Sequence, residues 1–133
     1  MNKKVWLVLM LVVVIAVAGC GKKEKNIDNP VENVNTNTGV VEDKEVEVFT
    51  FTNTSLVWND NASNLVTVIT NTSDEEQYLK GFKVHVYDSN GNEMASMTGY
   101  VGARLKAHEV RQMSTGHYEN LTNAAKIEYE VLR

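Results

Sequence analysis

The chain has 133 residues, with 13 Lys and Arg against 17 Asp and Glu, and one cysteine. That length holds one small domain once targeting segments are set aside, and a formal charge of −4 argues against a duplex nucleic acid as partner. A lone cysteine permits no internal disulfide, so stability has to come from packing.

The N-terminus is tripartite. Residues 1–4 carry Lys3 and Lys4, residues 5–17 are an unbroken apolar run, VWLVLMLVVVIAV, and a polar stretch begins at Gly21. This is the pattern of a secretory signal with its positive end on the cytoplasmic side. From Val5 to Gly19 the apolar stretch is 15 residues, short of the ~20 that a spanning helix needs. Val17-Ala18-Gly19-Cys20 closes the run. This ending resembles a bacterial lipobox, and the resemblance implies a defined chemistry. The Cys20 thiol is alkylated by a diacylglycerol, the Gly19–Cys20 bond is cut, and Cys20 becomes the new N-terminus. Small residues let a protease reach the backbone, and a thiol is the side chain best suited to alkylation. Two acyl chains anchor firmly where one is marginal. The expected location is the extracytoplasmic face of the cell membrane, with the diacylglycerol as the membrane partner.

Residues 21–44 hold no aromatic residue and the chain's one proline, Pro30, and are rich in Asn, Lys, Glu, Thr and Gly. Such a segment buries too little apolar surface to offset its ordering entropy. The expected organisation is a signal peptide at 1–19, a lipidated cysteine and flexible linker at 20–44, and a domain at 45–133.

From residue 45 the composition changes. Aromatic and β-branched residues occur in short runs separated by turn clusters every 8–12 residues, which is the rhythm of a β-sandwich. Seven segments are predicted: 45–52 (EVEVFTFT), 55–58 (SLVW), 64–71 (NLVTVITN), 81–88 (GFKVHVYD), 93–103 (EMASMTGYVGA), 110–115 (VRQMST) and 124–132 (AAKIEYEVL). In the last, Ala125, Ile127, Tyr129 and Val131 share one face and Lys126, Glu128 and Glu130 the other, a clear period of two. Asn90-Gly91 predicts a type I′ hairpin, with Asp88 bonding the backbone amides of that turn. Val84 and Val86 are assigned to the core and Tyr87 to the opposite face.

Four stretches within residues 64–113 resemble the FxLYD-like domains of bacterial lipoproteins. They are Val68-Ile69-Thr70-Asn71-Thr72-Ser73, Val84-His85-Val86-Tyr87-Asp88, Asn90-Gly91, and Leu105-Lys106-Ala107-His108-Glu109. Val84 and Val86 stand for the Phe and Leu of the name-giving motif, Ala107 and His108 for a Pro-Gly pair, and Met113 for an aromatic. The resemblance implies an immunoglobulin-like fold, so the expected fold class is all-β: a small immunoglobulin-like sandwich of about seven strands, preceded by a signal helix and a disordered tether. It implies no catalytic residue.

The residues themselves carry little catalytic chemistry. A zinc site needs three or four convergent ligands, and the spacing of His85, His108 and His117 pairs none of them. Asp88-Ser-Asn90-Gly-Asn92-Glu93 is too short for a calcium loop flanked by helices. Ser114 and Thr115 near His117 lack both a nucleophile elbow and an orienting acid. No metal or other cofactor is expected, and no enzyme. Trp58, Tyr78, Tyr100 and Tyr118 fall near segment ends, where aromatics plug a sandwich. The function expected is a non-catalytic interaction module of the envelope, its partner a protein or polymer and not nucleic acid; the alternative is a small-ligand-binding accessory lipoprotein of a transporter.

Overall fold

The computed structural model describes residues 32–133; the expected signal segment, the Gly19–Cys20 bond and residues 21–31 lie outside them. Among the described residues every regular element is a strand: β1 (Val40–Val41), β2 (Lys44–Val46), β3 (Phe49–Trp58), β4 (Ser63–Asn71), β5 (Gln77–Tyr87), β6 (Glu93–Leu105), β7 (Val110–His117) and β8 (Lys126–Leu132). The alternating pattern explains them. In β4, Ser63, Leu65, Thr67, Ile69 and Asn71 are buried and the residues between them half-buried, as the two-residue period of a strand requires.

The strands form two antiparallel sheets. One has β3, β4 and β7 side by side, with β1 and β2 placed in succession along the outer edge of β3. The other runs β6-β5-β8. The chain changes sheet after β4, after β6 and after β7, which makes an immunoglobulin-like sandwich. Its centre is aromatic. Phe51 of β3 stacks on Tyr129 of β8 at 4.2 Å between ring centroids and meets Phe82 of β5 edge-on at 5.7 Å. Leu65, Ile69, Leu79, Val84, Val86, Leu105 and Ile127 complete the buried interior.

The expected boundary at residues 44 and 45 moves toward the N-terminus. Val34 and Val41 are buried, Val34 bridges to Val41, and β1 pairs with β3. Asn33 binds β8 on the other side: its Nδ2 donates to Ile127 O at 2.8 Å, and its Oδ1 accepts from Ile127 N at 2.8 Å. Two buried valines and one bidentate carboxamide offset an ordering cost that composition alone makes look prohibitive.

Three local expectations are also revised. Residues 45–52 do not form one strand, because the chain reverses at Glu47 and Val48 between β2 and β3 (Val46 pairs with Phe49). Glu47 takes φ 57° there. Conversely, residues 55–58 belong to the same strand as Phe49–Thr52, the two joined across a bulge at Asn53, which has φ 49°. The Asn90-Gly91 turn is not type I′. Asp88 N bonds Asn92 O, Gly91 N bonds Asp88 O, and of the turn residues Gly91 alone has positive φ, at 84°. That is the three-residue loop with a left-handed glycine at its end. Asp88 does cap it, as expected, its Oδ1 accepting from Asn90 N at 2.9 Å and Asn92 N at 3.0 Å.

Two buried polar side chains hold the ends of the sandwich. Asn71, fully buried, donates from Nδ2 to Glu75 O (2.8 Å), Leu105 O (3.1 Å) and Lys106 O (3.0 Å), and its Oδ1 accepts from Ser73 N and Ser73 Oγ. At the opposite end of β4, Ser63 Oγ donates to Glu119 O at 2.7 Å and accepts from Leu121 N at 2.9 Å. The carbonyls that Asn71 binds open the turn from Lys106 to Glu109, closed by Glu109 N on Lys106 O at 3.0 Å. His108, its third residue, has φ 61°, so the turn has the type II shape that a Pro-Gly pair suits best.

Asn71→Ala is expected to cost about 1–3 kcal/mol, the cost of leaving Leu105 O without its side-chain donor, while Glu75 O keeps the Ser73 hydroxyl and Lys106 O keeps Glu109 N; urea denaturation measures it. Ala107→Pro is expected to stabilise by about 0.4–1 kcal/mol, since that turn position suits the fixed φ of proline. A higher melting temperature with unchanged far-ultraviolet circular dichroism is the expected result.

Candidate functional site

The outer face of the β6-β5-β8 sheet carries an ordered row of charges. His85, on the outward side of β5, lies between two carboxylates: Nδ1 is 3.0 Å from Glu93 Oε1 and Nε2 is 3.2 Å from Glu130 Oε2. The hydrogen bond to Glu93 first, and then that to Glu130, raise the His85 pKa above its ordinary 6.5 against a smaller opposing effect of burial. One register step along, Lys126 Nζ meets Glu128 Oε1 at 2.8 Å and lies 5.6 Å from the centre of the Tyr87 ring. The bond from Lys126 lowers the Glu128 pKa. Tyr87 is the outward residue expected from the period of two, and its phenol donates to Glu128 Oε2 at 3.4 Å.

The three histidines stay apart. His108 Nε2 is 2.9 Å from Asp74 Oδ1. His117 is the last residue of β7, and its Nδ1 accepts from Glu119 N at 3.1 Å. Among the described residues no three His, Cys, Asp or Glu side chains are placed to hold one metal ion.

The aromatics near the strand ends divide. Trp58 is half-buried and lines a cleft of about 160 Å³ with Leu56, Leu121 and the turn at residues 35–39. Tyr78, Tyr100 and Tyr118 do not plug the sandwich; they are 45%, 74% and 77% exposed. Tyr118 stacks on His117 at 4.7 Å.

The two sides of the sandwich differ. On one side β6 turns back as β7 across the gap between the sheets, and Thr115 Oγ1 donates to Thr98 O at 3.0 Å. On the other, β2 and β8 face each other without a shared ladder, since β2 pairs with β3 and β8 with β5. A cleft of about 520 Å³ lies there, walled by Glu42, Asp43 and Lys44 on one side and by Ile127, Glu128 and Tyr129 on the other. Tyr129 contributes the one buried side-chain polar atom without a hydrogen-bond partner among the described residues, its hydroxyl. Burial raises the pKa of that phenol. Sequence reasoning put Tyr129 on the face of its strand shared with Ile127 and Val131 but gave no sign of this cleft, because the 42–44 wall was assigned to the linker.

The class these elements define is a two-sheet immunoglobulin-like domain with one closed and one open side. No family profile matches the chain, and no curated protein matches it. Among solved structures it is similar to a DUF1425 family member from Shewanella sp. pv-4, at 15% identity over 78% of this chain and 96% of that one, with a TM-score of 0.43. The architecture described above rests on this chain's own ladders.

A histidine whose folded pKa lies above 6.5 contributes its full stabilisation below that value and loses it as pH rises through the folded pKa. Glu93→Gln and Glu130→Gln are each expected to bring the His85 titration midpoint down toward 6.5, Glu93→Gln by more. Following the imidazole proton resonance against pH checks both the direction and the order.

Proposed function

We propose that this chain is a bacterial lipoprotein whose FxLYD-like domain is a non-catalytic interaction module, held on the extracytoplasmic face of the cell membrane by diacylglycerol on Cys20. The observation that carries the reading is Val17-Ala18-Gly19-Cys20 at the end of a signal-like apolar run, in a chain with no other cysteine. A second observation supports the domain assignment. Asn71 and the 105–109 turn carry two of the resembling motifs, 34 and 35 positions apart in sequence at the bonded carbonyls, and they meet through direct hydrogen bonds.

An interaction role suits the surface better than a small-ligand role. The cleft at Trp58, about 160 Å³, is below the ~300–1,000 Å³ usual for ligand pockets; the β2–β8 cleft, at about 520 Å³, is within that range, but its lining is mostly charged (Glu42, Asp43, Lys44, Lys126 and Glu128) where ligand pockets are mostly apolar, and it runs along an open strand edge. The histidines, each engaged with a neighbouring surface group, fit structural duties.

Cys20→Ser is expected to abolish labelling by radioactive fatty acid and to release the protein from membranes; persistent labelling would sink the anchor assignment. In-cell crosslinking of the anchored protein, followed by mass spectrometry, is expected to capture a reproducible envelope partner. Capture of none, with a small molecule retained by the purified protein, favours the accessory ligand-binding role.

A further inference from the structure

We propose that the outer edge of β8, between Asn33 and Arg133, accepts an extended segment of another protein as an added strand, and that this segment carries Lys or Arg at alternate positions. The proposal rests on the reading of the domain as an interaction module and names its contact surface and the chemistry of its partner.

The edge is regular and has no strand beside it among the described residues. β8 pairs with β5 in an unbroken register from Gly81↔Leu132 to Tyr87↔Lys126, and with no other strand among the described residues. The direction of its free backbone groups follows from Asn33. The N–H and C=O of Ile127 point away from β5, because both are bonded at 2.8 Å to the Asn33 carboxamide. That carboxamide supplies the donor and acceptor that a residue of a neighbouring strand would supply. Backbone groups alternate in direction along an antiparallel strand, so Tyr129 and Val131 present their N–H and C=O to the same edge. The stretch is bounded at its far end by Arg133, whose Nη2 donates to Glu47 Oε1 at 3.0 Å. Four main-chain groups are thus offered in line, which is the requirement for strand addition.

The cleft alongside supports the same occupant. Its volume of about 520 Å³ separates β8 from the 42–44 wall, and β2 spends its own ladder on β3. Tyr129 lines it and has a buried hydroxyl without a partner.

Charge selects the sequence of the incoming strand. Glu128 and Glu130 lie two residues apart on the outer face of β8 and are about half exposed. Across the cleft Glu42 and Asp43 stand beside Lys44, and Lys126 lines its β8 side, so three carboxylates there outnumber two ammonium groups. A neighbouring strand places alternate side chains beside Glu128 and Glu130, so basic residues at a spacing of two match them. A second copy of this chain is the poorer occupant, because pairing β8 with itself brings glutamates against glutamates, and like charges opposite each other on a sheet repel.

The test uses the full lipid-anchored chain in neutral detergent and two synthetic decapeptides, one alternating Lys and Thr and one alternating Glu and Thr. Hydrogen–deuterium exchange of residues 127–132 is the readout. The Lys-Thr peptide is expected to slow exchange there at least tenfold at saturation, and the Glu-Thr peptide to leave it unchanged. Glu130→Lys, a surface change that leaves the core untouched, is expected to remove the protection, and so is Val131→Pro, which deletes one outward N–H. Equal protection by both peptides overturns the proposal, as does binding of the Lys-Thr peptide without slowed exchange at β8. Sedimentation of the free protein as a dimer with these amides already protected overturns it in favour of a second copy. A partner crosslinked in cells at another face, with β8 still exchanging freely, refutes the edge alone and leaves the interaction module standing.

Discussion

The carboxamide of Asn71 is the contact on which the arrangement of the two sheets most depends. A sandwich of this kind has to carry its chain from one sheet to the other, and two of those crossings, β4 to β5 and β6 to β7, occur at the same end. Asn71 joins them. One buried amide donates to Glu75 O in the first crossing and to Leu105 O and Lys106 O in the second, while its own backbone N–H binds Glu109 O. Loop carbonyls brought under cover need donors. Glu75 O and Lys106 O also have donors within their own loops, Ser73 Oγ and Glu109 N, so what the Asn71 side chain adds is the link between the two loops.

The same device recurs elsewhere. With one cysteine in the chain and no disulfide available, short polar side chains with several bonds each take over the work of fixing the loops. Ser63 holds the segment at residues 119–121, and Asn33 holds the start of β8. Each is a single residue binding backbone far away in sequence. The hydrophobic interior, centred on Phe51, Phe82 and Tyr129, supplies the drive to collapse, which is non-directional. The polar contacts decide which collapsed arrangement is reached.

Much of this was legible in the sequence where one local rule acted alone. The alternation of residues 125–131, the β-branched run of residues 64–71 and the turn residues around Asn90-Gly91 located strands and a hairpin. Legibility failed where a distant contact overrode local preference. The reversal at Glu47 and Val48 contains no Gly, Pro or Asn, so nothing in it announces a turn; it forms because Phe49 and Phe51 are drawn into the core while β2 stays on their edge. Residues 32–44 read as linker because their composition is polar, yet Val34, Val41 and the bidentate bonds of Asn33 fasten them. The open side of the sandwich was hidden for the same reason, since one of its walls is made of that segment. His108 shows the converse: a motif position that favours glycine retains the glycine-like φ of 61° with a histidine in place.

The attachment of Asn33 also decides how the domain bears force. A pull on the chain at residue 32 enters the fold at Asn33 and Val34, whose amides bind Ala125 O, and the Asn33 side chain passes it to Ile127. From there it spreads along the seven-residue ladder between β8 and β5. The same segment is fastened to β1 on the other side of the cleft, where Glu42 N donates to Asn33 O and Val34 bridges to Val41, while the β6–β7 side is bonded to neither residue. Tension from the N-terminal side is therefore concentrated on the open seam, so that the edge of β8 is the part of the domain most directly coupled to whatever holds the chain in place.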